Sequence, residues 1–256
     1  FKATASARKR FSRRAVPEFE NNKPKYKNLV IFLTHNFLPN FLNQLKKIDK
    51  NFADLDVIVL FDNESEFTIS ENYFEYIEII KINKIKSTYD SKGHTLYLSY
   101  FQKHSEKMYE YKYYWIIEND VHINCGIKFF IDKHDKYDYD VLVAERGVRD
   151  LNWSWTSTLS GFDKNYNIGV SAVCIRFSDK FLQNLIYNID KIYYGYLEAI
   201  IPHICKKYGF SINTYLPELI GIINVYGGPL IEKIKKDILN NTQLYIENKL
   251  YHPIKL

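Results

Sequence analysis

The stretch that decides the fold is YKYYWIIENDVHI, at residues 111–123. It begins with aromatic and β-branched residues, which are typical of a buried strand. Where that strand should end, the chain places Glu118, Asn119 and Asp120 in a row. The sequence therefore predicts a buried strand that delivers two carboxylates and an amide to its carboxyl end.

Similar apolar runs with polar ends come earlier in the chain. They are NLVIFLTHN (28–36), DVIVLFDN (56–63) and YIEIIKI (76–82), with helical apolar spacing at 40–52 and 96–111. Strands that alternate with helices and are apolar throughout indicate a sheet covered on both faces. The predicted fold class is α/β, with a mostly parallel central sheet and helices on both faces.

The second half of the chain continues the sheet after a long polar segment. Strands are predicted at 139–145 and 167–178, with a polar loop at 146–167 between them. Helices are predicted at 179–189 and 194–210, the second ended by Gly209. Since no internal repeat interrupts this pattern, we expect one domain over residues 28–256.

Composition limits the classes of function. The chain has 256 residues, 46% of them hydrophobic, which is enough for a packed core. Residues 1–27 differ in composition and hold four of the seven arginines, so we interpret them as a basic N-terminal arm or a vector-derived leader. The remaining body is nearly neutral, and we expect no nucleic-acid partner. The sequence contains no run of about 18 apolar residues, so no membrane span is predicted.

The cysteines favour neither a disulfide framework nor a zinc site. Cys125, Cys174 and Cys205 are odd in number, widely spaced and without a CxxC pair. This usage is typical of a reducing compartment.

Polar side chains follow the predicted strands at the edge where parallel sheets bind ligands. They are Thr34, His35 and Asn36 after the first strand, Asp62 after the second, and Glu118, Asn119 and Asp120 after the fourth. Because carboxyl ends of parallel strands meet at one edge, we expect these side chains to share one cleft.

Two carboxylates separated by one residue can both reach a cation that prefers oxygen ligands, such as Mg²⁺ or Mn²⁺. At this point the sequence resembles the GT-A-type glycosyltransferases, nucleotide-sugar enzymes with an Asp-x-Asp signature after a strand. Here the signature is Glu118-Asn119-Asp120, with Glu in the first position. The resemblance implies that Asp120 coordinates the metal and that Glu118 contacts the metal or the ribose of the donor.

The resemblance extends to both ends of the chain. LVIFLTHN and VIVLFDN resemble the nucleotide-binding first half of that fold, which implies donor-binding roles for Thr34, His35, Asn36 and Asp62. In the C-terminal YHPIKL, the resemblance implies that His252 is a further metal ligand and that Lys255 pairs with the diphosphate.

The catalytic base is expected in GYLEAIIPHI, residues 195–204. This segment resembles the one that presents the base at a helix start in inverting enzymes of the fold, which implies that Glu198 accepts the acceptor's proton. Asp163 and Glu218 are alternatives, and an enzyme that retains configuration would need none of them.

Acceptor binding is predicted for the 146–167 segment. Trp153 and Trp155 would face one side of an extended chain and could stack on sugar rings, while core packing is the alternative. Arg146 and Arg149 follow a predicted strand and are candidates to contact a phosphate or an acidic sugar.

The sequence thus predicts a metal-dependent glycosyltransferase that moves a sugar from a nucleotide-diphosphate donor to a glycan or glycolipid hydroxyl with inversion. By family, it would build surface polysaccharide or another glycan in the cytoplasm, with or without peripheral membrane contact. Two alternatives stay open: a sugar-phosphate nucleotidyltransferase, and a noncatalytic protein that binds glycans or polyanions.

Overall fold

The computed structural model describes residues 26–48, 54–62, 77–82, 94–149, 166–192, 196–223, 229–240 and 249–253. Four of the residues predicted to have functional roles, Trp153, Trp155, Asp163 and Lys255, lie outside these ranges, as does the N-terminal arm before Tyr26. Among the described helices, none is both long enough and apolar enough to cross a bilayer.

A seven-stranded sheet forms the centre, in the order β3-β2-β1-β4-β7-β6-β8. Its strands are β1 (Tyr26–Thr34), β2 (Leu55–Asp62), β3 (Glu78–Ile82), β4 (Tyr111–Glu118), β6 (Val141–Val148), β7 (Ile168–Ser178) and β8 (Ile212–Thr214). Two further strands, β5 (His122–Ile123) and β9 (Leu250–Tyr251), form a separate two-stranded sheet.

The described helices are α1 (Pro39–Lys46), α2 (His94–Lys103), α3 (Ile127–His134), α4 (Asp179–Ile192), α5 (Leu197–Tyr208) and α6 (Pro229–Asn240). Helix α5 ends at Gly209, which adopts φ 76° and donates its N–H to the carbonyl of Cys205, as its position predicted. The helix predicted at 96–111 was too long, because His104 leaves helical geometry and a 3-10 turn, Ser105–Tyr109, follows.

The sheet is mostly parallel, as predicted. Strand β1 pairs in parallel with β2 and β4, β2 pairs in parallel with β3, and β6 pairs in parallel with β8. Strand β7 is antiparallel to both of its neighbours, β4 and β6. The sequence analysis did not predict this reversal. The absence of a predicted helix between β6 and β7 agrees with it, because parallel neighbours are usually joined by a crossover helix.

Helices cover both faces of the sheet, because successive side chains of a strand point to opposite sides. Leu29, Ile31 and Leu33 of β1 belong to a core that includes side chains of α2, α4 and α5. Val30 and Phe32 belong to the other core, with side chains of α1 and α3. The predicted α/β architecture with helices on both faces is therefore confirmed.

A buried arginine joins β7 to the segment after α3. Arg176 is 0% exposed, and its guanidinium donates to the carbonyls of His134, Tyr137 and Tyr139 at 3.1, 2.7 and 2.8 Å. It also lies over the Tyr113 ring, 4.0 Å from the centroid. Burial lowers the pKa of Arg176, but an arginine stays protonated in proteins, and these carbonyls accept from both of its terminal nitrogens.

Replacing this arginine should cost much of the stability. Arg176→Ala leaves the carbonyls of His134, Tyr137 and Tyr139 without their donor, so we expect the free energy of unfolding in urea to fall by about 3 kcal/mol or more. Arg146→Ala is the matched control, because Arg146 is exposed and gives one bond to the carbonyl of Ile212. Equal losses for the two variants would contradict a structural role specific to Arg176.

Candidate functional site

The acidic triplet lies at the carboxyl edge of the sheet and is tied to the end of β1. The N–H of Asn119 donates to the carbonyl of Leu33 at 3.1 Å, which extends the β1–β4 ladder by one step. The Asn119 side chain donates to Oδ1 of Asn36 at 2.7 Å. Asn119 therefore fixes the triplet against the β1 end, a role that the sequence did not indicate.

The C-terminal segment returns to this edge. Strand β9 pairs with β5 so that Tyr251 stands opposite His122. The next residue, His252, is 3% exposed, and its Nε2 lies 3.3 Å from Oδ1 of Asp120 and 3.7 Å from Oε2 of Glu118. The structure thus brings together the three residues that the sequence proposed as metal ligands. Their role as ligands stays a prediction.

Two contacts hold the neighbouring segments in place. One acts on the segment between the triplet and α3, and the other acts on the C-terminal segment. Gln44 of α1 donates to the carbonyl of Val121 at 2.7 Å and accepts the N–H of Ile123 at 2.9 Å. Gly221 donates its N–H to Leu250 at 2.9 Å, and a Cβ on it would stand 2.5 Å from the Tyr251 ring. Position 221 therefore requires glycine, because a Cβ would clash with that ring. Neither contact was evident from the sequence.

The donor atoms suit a divalent cation. Glu118, Asp120 and His252 each offer one ligand atom, and these atoms lie within 4.8 Å of one another. Neighbouring ligands of an octahedral Mg²⁺ stand about 3 Å apart, so small side-chain movements would close the set. Two carboxylates suit either Mg²⁺ or Mn²⁺, and the additional imidazole favours Mn²⁺ over Mg²⁺.

A second acidic cluster is already paired with lysines. Asp54, Asp132 and Asp135 also offer three close oxygen atoms. Lys128 lies 2.7 Å from Asp132 and 3.7 Å from Asp54, and Lys27 binds Asp135. Since ammonium groups already balance these exposed or half-exposed carboxylates, we expect no cation there.

The predicted nucleotide-binding residues surround the same edge in different ways. In the β1–β2 ladder Thr34 stands opposite Phe61, so Asp62 ends its strand beside the β1 end. Thr34 is buried, and its hydroxyl accepts the N–H of Asn36 at 3.0 Å, which shapes the turn. His35 is exposed and Asp62 is 5% exposed. Nucleotide contact by these residues stays a prediction.

Glu198 lies in the first turn of α5 and is half-buried. Burial, and after it the charge of Glu198, raises the pKa of Tyr97 in α2 above its usual range. The charge of the Glu198 carboxylate therefore acts on Tyr97. The alternative base Glu218 is exposed in the 3-10 turn Pro217–Leu219.

The two arginines predicted to follow a strand need a correction. Arg146 lies inside β6, opposite Val170, because β6 continues to Val148 rather than ending at residue 145. Arg149 follows the strand and pairs with Glu145 at 3.1 Å. Their acceptor contacts stay a prediction.

No protein-family model matches the chain, and no curated protein matches it. Among solved structures, 4-diphosphocytidyl-2C-methyl-D-erythritol synthase from Anaerococcus prevotii DSM 20548 is similar at 10% identity and TM-score 0.46, over 84% of this chain and 94% of that one.

Two further structures are similar at comparable levels. S. aureus TarS 1-349 has 16% identity and TM-score 0.42, over 85% of this chain and 66% of that one. The glycosyltransferase GlyE of Streptococcus pneumoniae TIGR4 has 11% identity and TM-score 0.42, over 90% of this chain and 55% of that one. Likenesses at these values assign no activity to the chain.

Metal binding can be tested directly at the triplet. We expect Mn²⁺ to bind the full chain, measured by electron paramagnetic resonance of the free ion, and Asp120→Asn to weaken binding at least about 100-fold. His252→Asn should weaken it about tenfold, since two carboxylates remain. Asp132→Asn, in the lysine-paired cluster, is the matched control and should change nothing. Equal binding by parent and Asp120→Asn would contradict the site.

Proposed function

We propose that the chain is a metal-dependent glycosyltransferase that moves a sugar from a nucleotide-diphosphate donor to a glycan or glycolipid hydroxyl. The observation that carries the proposal is the convergence of Glu118, Asp120 and His252 at the carboxyl edge of the sheet. In open α/β sheets this edge is where ligands bind. The ends of β1 and β2, with Asn36 and Asp62, border the same edge and would hold the nucleoside.

The proposed metal ligands are Asp120, His252 and Glu118. When bound, a divalent cation supplies charge neutralisation for the diphosphate that leaves. Asp120 and His252 are nearly buried, so both keep a fixed position before the donor arrives. Lys255 follows His252 closely in the chain and is proposed to contact the diphosphate.

Transfer with inversion needs a base on the acceptor side. In our proposal Glu198 accepts the proton of the acceptor hydroxyl while that oxygen forms a bond to the anomeric carbon. The bond between that carbon and the diphosphate oxygen breaks, and its electron pair leaves with the nucleoside diphosphate. The position of Glu198 at the start of α5, close to buried Tyr97, supports a fixed carboxylate there.

Acceptor recognition is proposed for the end of β6 and the segment that follows it. Trp153 and Trp155 would stack on sugar rings, and Arg146 and Arg149 would contact acidic groups of the acceptor. Synthesis of surface polysaccharide on the cytoplasmic side remains part of the proposal and follows from the resemblance alone.

Donor binding is the first test. With excess Mn²⁺, one of the uridine, guanosine, cytidine or thymidine diphosphates should raise the melting temperature by about 5 °C at 100 times its Kd. The shift should disappear without metal and in Asp120→Ala, because the diphosphate then lacks its cation. Asp132→Ala is the matched control and should keep the shift. A shift with no metal-dependent part would contradict the donor site.

The base assignment has a separate test. Glu198→Gln keeps the shape of the side chain but cannot accept a proton, so we expect kcat for transfer to fall about 10²- to 10⁴-fold with the nucleotide-dependent melting shift unchanged. Glu218→Gln should leave kcat unchanged. If Glu218→Gln alone lowers kcat, the base is Glu218. If neither substitution does, the transfer proceeds without either base.

A further inference from the structure

A cavity of about 250 Å³ is lined by residues of the segment that follows the triplet. It is bordered by the end of α1 and the start of α3, and its lining includes His122 and Asn124. Among its described lining residues are none of the proposed metal ligands and no aspartate or glutamate. The cavity is therefore a different environment from the metal cluster.

The start of α3 forms one wall. Ile127, Lys128 and Phe129 make up the first turn, and their N–H groups have no acceptor within the helix. Gly126 is the N-cap and lacks a side chain that could cap them, and the first turn holds no acidic residue. This end of the helix carries the positive pole of its dipole, which attracts anions.

A buried histidine gives an independent sign of a ligand. His122 lines the cavity and is 6% exposed, and its Nδ1 has no hydrogen-bond partner in the described part of the chain. Leaving such an atom unsatisfied is costly, so buried polar atoms normally have a partner. In the neutral tautomer that carries its hydrogen on Nδ1, the ring could donate to an anion bound in the cavity.

The charged side chains around the cavity are basic. Burial, and after it the charge of Lys47, lowers the pKa of His122 to about 4, and both residues line the cavity. Lys128 is largely neutralised by Asp132 at 2.7 Å. Lys47 is thus the main positive side chain of the described lining.

Carbonyl groups at the end of α1 do not oppose an anion strongly. The N–H of Lys47 donates to the carbonyl of Gln44, and the N–H of Ile48 donates to that of Leu45, both at 3.1 Å. The remaining surface includes the rings of Phe32 and Phe129, which offer apolar contact to an organic group.

We propose that this cavity binds the phosphate group of a small molecule. The phosphate lies on the first-turn N–H groups of α3 and on His122, with Lys47 balancing its charge. Because no carboxylate is present among the described lining residues, the site needs no divalent cation, unlike the proposed donor site. Binding here does not depend on the proposed transferase activity.

The test uses amide chemical shifts of the ¹⁵N-labelled full chain without divalent metal. Inorganic phosphate and phenyl phosphate are titrated separately at constant ionic strength against sodium chloride. We expect saturable shifts at the amides of residues 127–129. Tighter binding of phenyl phosphate identifies an organic phosphate as the ligand, and equal binding identifies free phosphate. Shifts that rise linearly or match those with chloride overturn the proposal.

Two pairs of variants locate the ion. Phe129→Glu places a carboxylate in the first turn, where it suits the helix dipole, so the variant should fold and lose phosphate binding about tenfold or more. Phe129→Gln, without the charge, should keep binding. Lys47→Ala should weaken binding about threefold, while Lys46→Ala, at the preceding residue outside the lining, should not.

Asp120→Ala separates this site from the donor site. The phosphate titration at residues 127–129 should be unchanged in that variant. If Asp120→Ala abolishes the shifts, or if Phe129→Glu keeps them, phosphate binds elsewhere and the proposal is wrong. Loss of the donor nucleotide shift in Asp120→Ala with phosphate shifts retained would show that the two sites are separate.

Discussion

The parallel pairing of β1 with β4 is the constraint on which the candidate site depends. In this ladder Leu33 stands opposite Glu118, so both strands end at the same edge. Asn119 then continues the pairing through its own N–H and fastens its side chain to Asn36. A shift of one residue in this register would move every side chain of β4 to the opposite face of the sheet, because side chains of a strand alternate between its two faces. The position of the two carboxylates is thus fixed by the hydrophobic core.

His252, the third member of the cluster, comes from a distant part of the chain. The secondary structure that positions it is short. Strands β5 and β9 contain two residues each, and a ladder that short has little stability of its own. Its position is set by neighbours: Gln44 binds the β5 segment, and Gly221 packs on Tyr251 of β9. His252 therefore reaches Asp120 only when the core, α1 and the C-terminal segment are all in place.

The parts of this arrangement that could be predicted are those with a repeating pattern. The apolar runs around Val30, Val59 and Trp115 indicated buried strands, and their polar ends indicated the edge. The two-residue ladder, and the contact of Gln44, have no periodicity to detect. Arg176 was read as part of a strand, but its burial depends on carbonyls from residues 134–139, and no local pattern signals such a partner.

The composition of the cluster agrees with the proposed metal site. Glu118 and Asp120 place two carboxylates near each other at a partly dehydrated edge, where like charges repel and desolvation adds a cost. His252 offsets this only when it is protonated, since a neutral imidazole brings no charge. A divalent cation would neutralise both carboxylates and accept the imidazole nitrogen at once. Binding of the proposed cation would relieve this repulsion and stabilise the protein, and such a local conflict with folding is typical of functional positions.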